Sequence, residues 1–278
     1  MATFYNQATL TYNNTTVSSN IVTGEITEAL TVTKTAVSDA YSAGEVLTYA
    51  IALVNSGDTA LAGVNVTDDL GTYELSGTSY TPLTYVDGSV QLFIDGVPQP
   101  APTVTAGDTL AITGIDIPAD GNAVIVYQAS ANEFAPPDTG SEITNTVTAA
   151  SGGVTASASA AVPAENEAVL SITKSLSPTE VTGSSRITYG FMIQNTGNTA
   201  ESGAVITDTF DPVLTDITVS FNSEKASESS YTYDEQTGVF TTLPGAFTVP
   251  AATFTRDPVT GAFATVPGTA YITVSGNI

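Results

Sequence analysis

Two of the chain's three lysines stand in apolar company. Leu30, Val32 and Lys34 alternate along one strand-like run, and Leu170, Ile172 and Lys174 along another, so each lysine shares a face with apolar side chains. An isolated ammonium there is strongly unfavourable unless it is neutral, paired or bonded. Partners of the same parity exist. Asp68 follows Val64 and Val66, Asp208 follows Ala204 and Ile206, Asn145 sits between Ile143 and Val147, and Asn6 between Phe4 and Ala8. Each set offers an amine, a carboxyl and a carboxamide: Lys34, Asp68 and Asn145 in one, Lys174, Asp208 and Asn6 in the other. Two chemistries fit. One is a buried Lys–Asp ion pair capped by the Asn amide. In the other, desolvation lowers the amine pKa and raises that of the carboxyl, leaving a nucleophile and an acid in one apolar pocket. The third lysine, Lys225, lies in the polar run NSEKASESS and reads as a solvated charge.

The elements that position these groups come as a repeat. Lys34–Leu70 aligns without a gap to Lys174–Phe210 at a constant offset of 140, matching Lys34/Lys174, Tyr49/Tyr189, Asn55/Asn195, Gly57/Gly197, Gly63/Gly203 and Asp68/Asp208. In the first repeat, VIVYQASAN (124–132) is followed by a Pro-rich turn and a strand pair, ITNTVTAASGGVTASASAAV (143–162). In the second, the matching YITVSGN (271–277) is the last strand-like run, so the second domain is expected to lack its final hairpin. A segment similar to that hairpin, FYNQATLTYNNTTVSSNIVT (4–23), precedes Lys34 much as 143–162 precedes Lys174. A strand missing at one end and spare at the other is a recipe for polymerisation.

Composition agrees with a protein built for surfaces. Its 278 residues accommodate two sandwich domains, each of roughly 110–140 residues and able to bury a core. Thr, Ser, Val, Ala and Gly dominate, turns such as VDGS, IDGV, PADGN and NTGNT punctuate short β-prone runs, and no run has helical periodicity. Net charge is −23 with five basic residues, which disfavours nucleic acid and anionic membrane as partners. No apolar stretch is long enough for membrane insertion, and no signal-peptide pattern follows Met1. With no Cys and no His, disulfides, thiolate chemistry and the commonest general base are excluded. No phosphate loop, GxSxG, HExxH or EF-hand pattern occurs, so an enzyme is not expected and no cofactor is implied; carboxylate-only glycosidase chemistry stays formally open. Asp58, Asp68 and Asp69 lack a DxDxDG loop and read as solvated turns rather than a calcium site. Tyr49 and Tyr189 read as core tyrosines, and Gly57 and Gly197 as turn glycines needing positive φ.

The Lys–Asp–Asn sets resemble the intramolecular isopeptide sites of Gram-positive pilin and adhesin domains. That resemblance implies that Lys34 and Lys174 attack the carboxamides of Asn145 and Asn6, with Asp68 and Asp208 as catalysts and ammonia leaving. The stretches LTVTKTA, LTYAIALVNSGDTALAGVNVTDDL and ITNTVTA, with LSITKSL and ITYGFMIQNTGNTAESGAVITDTF, resemble the surface-protein repeat catalogued as domain of unknown function number eleven. Its two-repeat form is similar to spore-appendage subunits. The resemblance implies immunoglobulin-like sandwiches and an extracellular or spore-surface location, with synthesis in the mother cell and no signal peptide. The expected architecture is therefore all-β: a donor-strand extension (1–24), an immunoglobulin-like sandwich (25–163) and an incomplete one (164–278). The expected function is a filament subunit whose partners are copies of itself, joined head to tail by donor-strand complementation. The alternative is a monomeric adhesin module that binds carbohydrate or protein.

Overall fold

The computed structural model describes residues 2–26, 29–183 and 185–278. Met1, at the head of the expected extension, residues 27–28, at the expected start of the first sandwich, and Ser184, in the second repeat, lie outside the described residues. The rest is β-structure with one short 3₁₀ turn, Glu228–Ser230.

The first 25 described residues form a long hairpin. Strand β1 (Ala2–Asn6) pairs with β4 (Val22–Ile26), and β2 (Thr9–Tyr12) with β3 (Thr15–Ser18). Asn13 and Asn14 turn the chain with φ of 43° and 62°. Two consecutive positive φ values define the tight turn whose twist matches that of a β-ribbon, and Asn tolerates them better than most residues. Between the two pairings Gln7–Ala8 faces Ser19–Ile21, one residue longer, and Ser19 bridges the irregularity. Its amide donates to the Ala8 carbonyl (2.8 Å) while its Oγ accepts from the Ala8 amide (3.0 Å). Thr3 to Thr23 are all exposed, including Phe4, Tyr5, Leu10, Tyr12, Val17, Ile21 and Val22.

The first compact unit runs to Ala135 and resumes at Glu142–Pro163. Its strands after the hairpin are β5 (Leu30–Ala36), β6 (Val46–Asn55), β7 (Leu61–Asp68), β8 (Tyr73–Leu75), β9 (Thr78–Tyr80), β10 (Leu83–Tyr85), β11 (Gln91–Ile94), β12 (Val97–Pro98), β13 (Thr103–Ala106), β14 (Leu110–Ile117), β15 (Asn122–Ala131), β16 (Glu142–Ser151) and β17 (Val154–Pro163). They form two facing sheets, β12-β11-β15-β6-β5 with β10 beside β15, and β13-β14-β7-β16-β17. Alternating inward residues fill the space between, among them Leu47, Tyr49, Ile51 and Leu53 from β6 and Ile143, Val147 and Ala149 from β16, all essentially solvent-free. β17 lies against β5, closing that side of the sandwich.

The second compact unit comprises residues 136–141 and 164–278. It contains β18 (Leu170–Ser177), β19 (Arg186–Asn195), β20 (Thr207–Thr209), β21 (Thr215–Phe221), β22 (Glu224–Lys225), β23 (Tyr231–Tyr233), β24 (Val239–Thr242), β25 (Thr253–Arg256), β26 (Phe263–Val266) and β27 (Gly268–Asn277). Its large sheet, β22-β21-β27-β19-β18, repeats the order β12-β11-β15-β6-β5 strand for strand. Its other sheet, β23-β24-β20, repeats only β13-β14-β7. Phe240 faces Asp208 as Leu110 faces Asp68, so the two three-strand arrays share a register. Among the described residues nothing takes the place of β16 and β17.

One detail corrects the sequence reading. Neither Gly57 nor Gly197 has positive φ. They follow buried asparagines that plug the turn. Asn55 Oδ1 accepts from the Gly57 amide while its Nδ2 donates to the Thr59 and Pro118 carbonyls, and Asn195 does the same with Gly197, Thr199 and Pro250. Glycine is required at 197 because a Cβ there would lie 2.2 Å from the Glu167 carbonyl oxygen.

Candidate functional site

In the first unit the parity of the strands brings Lys34, Asp68 and Asn145 into one closed core. Lys34 on β5 lies opposite Ile51, and Asp68, at the end of β7, is held between Leu110 of β14 and Val147 of β16. Lys34 Nζ donates to Asp68 Oδ2 at 2.5 Å with both side chains solvent-free. The same oxygen accepts from the Tyr127 hydroxyl (2.7 Å), and that hydroxyl accepts from Asn145 Nδ2 (2.9 Å). Asp68 Oδ1 takes the Leu70 amide at 3.1 Å. The Lys34 ammonium lies over the Tyr49 and Tyr127 rings, 5.0 and 5.7 Å from their centroids. Burial pushes the Lys34 amine below its ordinary value, against the charge and hydrogen bond of Asp68, which pull it up. Burial also raises both tyrosines, with the Asp68 charge adding to the rise. Asn145 Oδ1 is buried without a hydrogen-bond partner. The arrangement therefore holds a destabilised ammonium, a carboxyl and a carboxamide with a free carbonyl oxygen. Asn145 reaches Asp68 through the Tyr127 hydroxyl. Tyr127 is the member the sequence reading missed; its signal was its parity with Ile125 and Ala129, both buried.

The second unit holds the same ion pair in an open sandwich. Lys174 on β18 lies opposite Phe191, and its Nζ is 2.5 Å from Asp208 Oδ2, with side-chain exposures of 43% and 18%. Sequence parity places both inward, as in the first unit, but among the described residues no strands cover them as β16 and β17 cover Lys34 and Asp68, and the pair is only partly enclosed. The neighbours tell the same story: Leu30 is 1% exposed and its counterpart Leu170 38%, while Ile172 is 56% exposed. The segment matching the start of β7 is not a ladder strand before Thr207; it bridges Glu201 to Val249, and the Ser202 and Ile206 carbonyls accept from the Gly245 and Thr242 amides.

The aromatic lining differs as well. Tyr127 pairs across to Tyr49, but Tyr189 pairs across to Val274, so no hydroxyl stands over Asp208. Phe210 stacks on Tyr189 instead, at 4.7 Å and 13° between planes, as Tyr127 stacks on Tyr49. Asp208 Oδ2 is consequently buried without a hydrogen bond, its contact with Lys174 lying outside hydrogen-bond geometry. Asn6, the expected carboxamide, is exposed on β1 opposite Val22.

The other candidates do not converge. Asp69 Oδ1 accepts from the Gly71 and Thr146 amides, and among the described residues no group of three acidic side chains is placed to hold a metal ion. Among the described residues no helix is long and apolar enough to cross a membrane.

No family model matches the chain, and no curated protein sequence matches it, so the repeat-family resemblance rests on the sequence segments themselves. Among solved structures, the N-terminal domain of the Streptococcus gordonii adhesin Sgo0707 is similar at 12% identity and a TM-score of 0.36, over 54% of this chain and 36% of that one. The pilus backbone RrgB of Streptococcus pneumoniae gives 12% identity and 0.36, over 86% and 55%. BcpA, the major pilin subunit of Bacillus cereus, gives 13% and 0.36, over 96% and 73%. The chain thus spans about a third and about half of the first two. Likenesses this faint carry no inference about function.

Proposed function

We propose that the chain is a structural subunit of a filament on a cell or spore surface, assembling head to tail by donor-strand complementation. The observation that carries this reading is the paired state of the two units. One sandwich is closed by a hairpin; the other has the same strand order without it, leaving an unpaired strand edge and partly exposed apolar residues. A free edge with an open core is a template for strands from another molecule, which satisfy its backbone groups and cover its apolar side chains together. The N-terminal hairpin, with Phe4, Leu10 and Val17 among its exposed apolar residues, supplies such strands. Within the first unit, Lys34 and Asn145 form an isopeptide bond with Asp68 as its catalyst. The lowered lysine, and an Asp68 carboxyl linked to Lys34 directly and to Asn145 through the Tyr127 hydroxyl, support that chemistry.

Static light scattering across a concentration series tests assembly. Species many times the 28.3 kDa monomer are expected. A monodisperse monomer at all concentrations would favour the adhesin alternative.

A further inference from the structure

The N-terminal hairpin and the β16–β17 hairpin share more than composition. Asn6 lies seven residues before Asn13, the first turn residue, and Asn145 lies seven before Gly152. Both turns are two-residue turns with positive φ throughout: 43° and 62° at Asn13 and Asn14, 55° and 87° at Gly152 and Gly153. Counting back from the turn, Phe4, Asn6, Ala8 and Leu10 fall where Ile143, Asn145, Val147 and Ala149 fall, and those four are the inward residues of β16. The first strand of the hairpin thus matches β16 of the closed sandwich, with its carboxamide at the same distance from its turn, while its return strand carries one extra residue at Ser19–Ile21. The acceptor has a matching need: Asp208 Oδ2 is buried and lacks the donor that Tyr127 supplies to Asp68.

From this we infer that residues 2–26 of a second copy dock on the second unit as an intact two-stranded hairpin, in one register. Ala8 lies opposite Asp208, Thr9 opposite Thr207, Leu10 opposite Ile206 and Thr11 opposite Val205, as Val147, Thr148, Ala149 and Ala150 lie opposite Asp68, Thr67, Val66 and Asn65. Asn6 then stands over the Lys174–Asp208 pair, and its amide donates directly to Asp208 Oδ2, because Val274 leaves no hydroxyl between them. In the first unit that hydroxyl is interposed. β3 and β4 cover β18 as β17 covers β5. The inference rests on the filament reading and adds to it the donor's two-stranded form, its register and the atom it satisfies.

The chain has no cysteine, so introduced pairs report the register without background. Thr9 and Thr207 are both exposed, and their counterparts Thr148 and Thr67 face each other across an antiparallel ladder. Residues directly opposite are within disulfide reach, while a two-residue slip is beyond it. In the full chain, Thr9→Cys with Thr207→Cys should give a ladder of multimers on mild oxidation in non-reducing denaturing gels. Thr11→Cys with Thr207→Cys should give none. Cross-linking of the second pair only, or failure of the first variant to assemble when reduced, overturns the register while wild-type filaments leave the filament reading intact. Cross-linked species confined to monomer mass show the chain's own hairpin as occupant and overturn the inference. Asn6→Leu should raise the concentration needed for assembly about tenfold, with Asn20→Leu as the unchanged hairpin control. Equal behaviour of the two variants removes the Asn6–Asp208 contact.

Discussion

At the scale of residues, the two lysine–aspartate pairs are one motif in two solvents. Removing Asp68 leaves a lysine and a tyrosine hydroxyl without their partner in a dry core, and breaking a buried pair in this way costs about 3–5 kcal/mol. Removing Asp208 frees a lysine that water already reaches, where such pairs contribute about 0–1 kcal/mol. Asp68→Ala should therefore lower the melting temperature of the chain far more than Asp208→Ala, by calorimetry on both. If the isopeptide forms, the intact wild-type mass falls short of the sequence mass by about 17 Da, one ammonia, and Asp68→Ala restores it. An unshifted wild-type mass reduces the first site to an ion pair capped by an amide. The tyrosines give a pH test. Tyr49 and Tyr127 have pKa values raised above the ordinary 10.0, so the folded chain holds their protons where the unfolded chain releases them. Their stabilisation is present below pH 10 and is lost as pH rises above it. Absorbance titration should show Tyr49 and Tyr127 ionising last and together with unfolding, after Tyr231 and Tyr233, whose partial burial raises them as well; ionisation of all twelve in one early step would contradict the buried cluster. The lysine, aspartate and asparagine were legible from strand parity, since a side-chain period of two fixes the face once the strand is known. Tyr127 carried the same parity signal, but its counterpart in the second repeat is Val274, so comparison of the repeats did not single it out.

At the scale of elements, β20 is what β7 becomes without β16. The sequence from Glu201 to Asp208 matches Leu61–Asp68 in spacing, yet only Thr207–Thr209 is a strand, its ladder partner β24 having four residues where β14 has eight. Local sequence could not reveal this, since strand formation there depends on a neighbour. The hairpin of residues 2–26 was legible in the likeness of 4–23 to 143–162 and its place ahead of Lys34. The one-residue irregularity near Ala8 was not, being decided by Ser19 hydrogen bonds. Leu10 is 62% exposed, so a charge there costs the monomer little. In the acceptor groove the same charge is buried without a partner, at a cost of about 3 kcal/mol or more. Leu10→Asp should thus leave the melting curve of the unassembled chain within about a degree and raise the assembly threshold on the order of a hundredfold. Unchanged assembly, measured by sedimentation, would place Leu10 outside the contact.

At the scale of the whole molecule, the donor surface and the acceptor surface are different, so the contact between copies is heterologous. Repeated, it runs on as an open fibre unless its rotation closes a ring. A net charge of −23 sets free copies against one another, which favours dispersed subunits until strand pairing takes over. On this proposal the second sandwich is completed by the N-terminal hairpin of another copy. Negative-stain electron microscopy of the full chain beside a chain lacking residues 2–26 tests it most directly. Fibres from the full chain and only dispersed particles from the truncated one are the predicted result; fibres of undiminished length without the hairpin would contradict it.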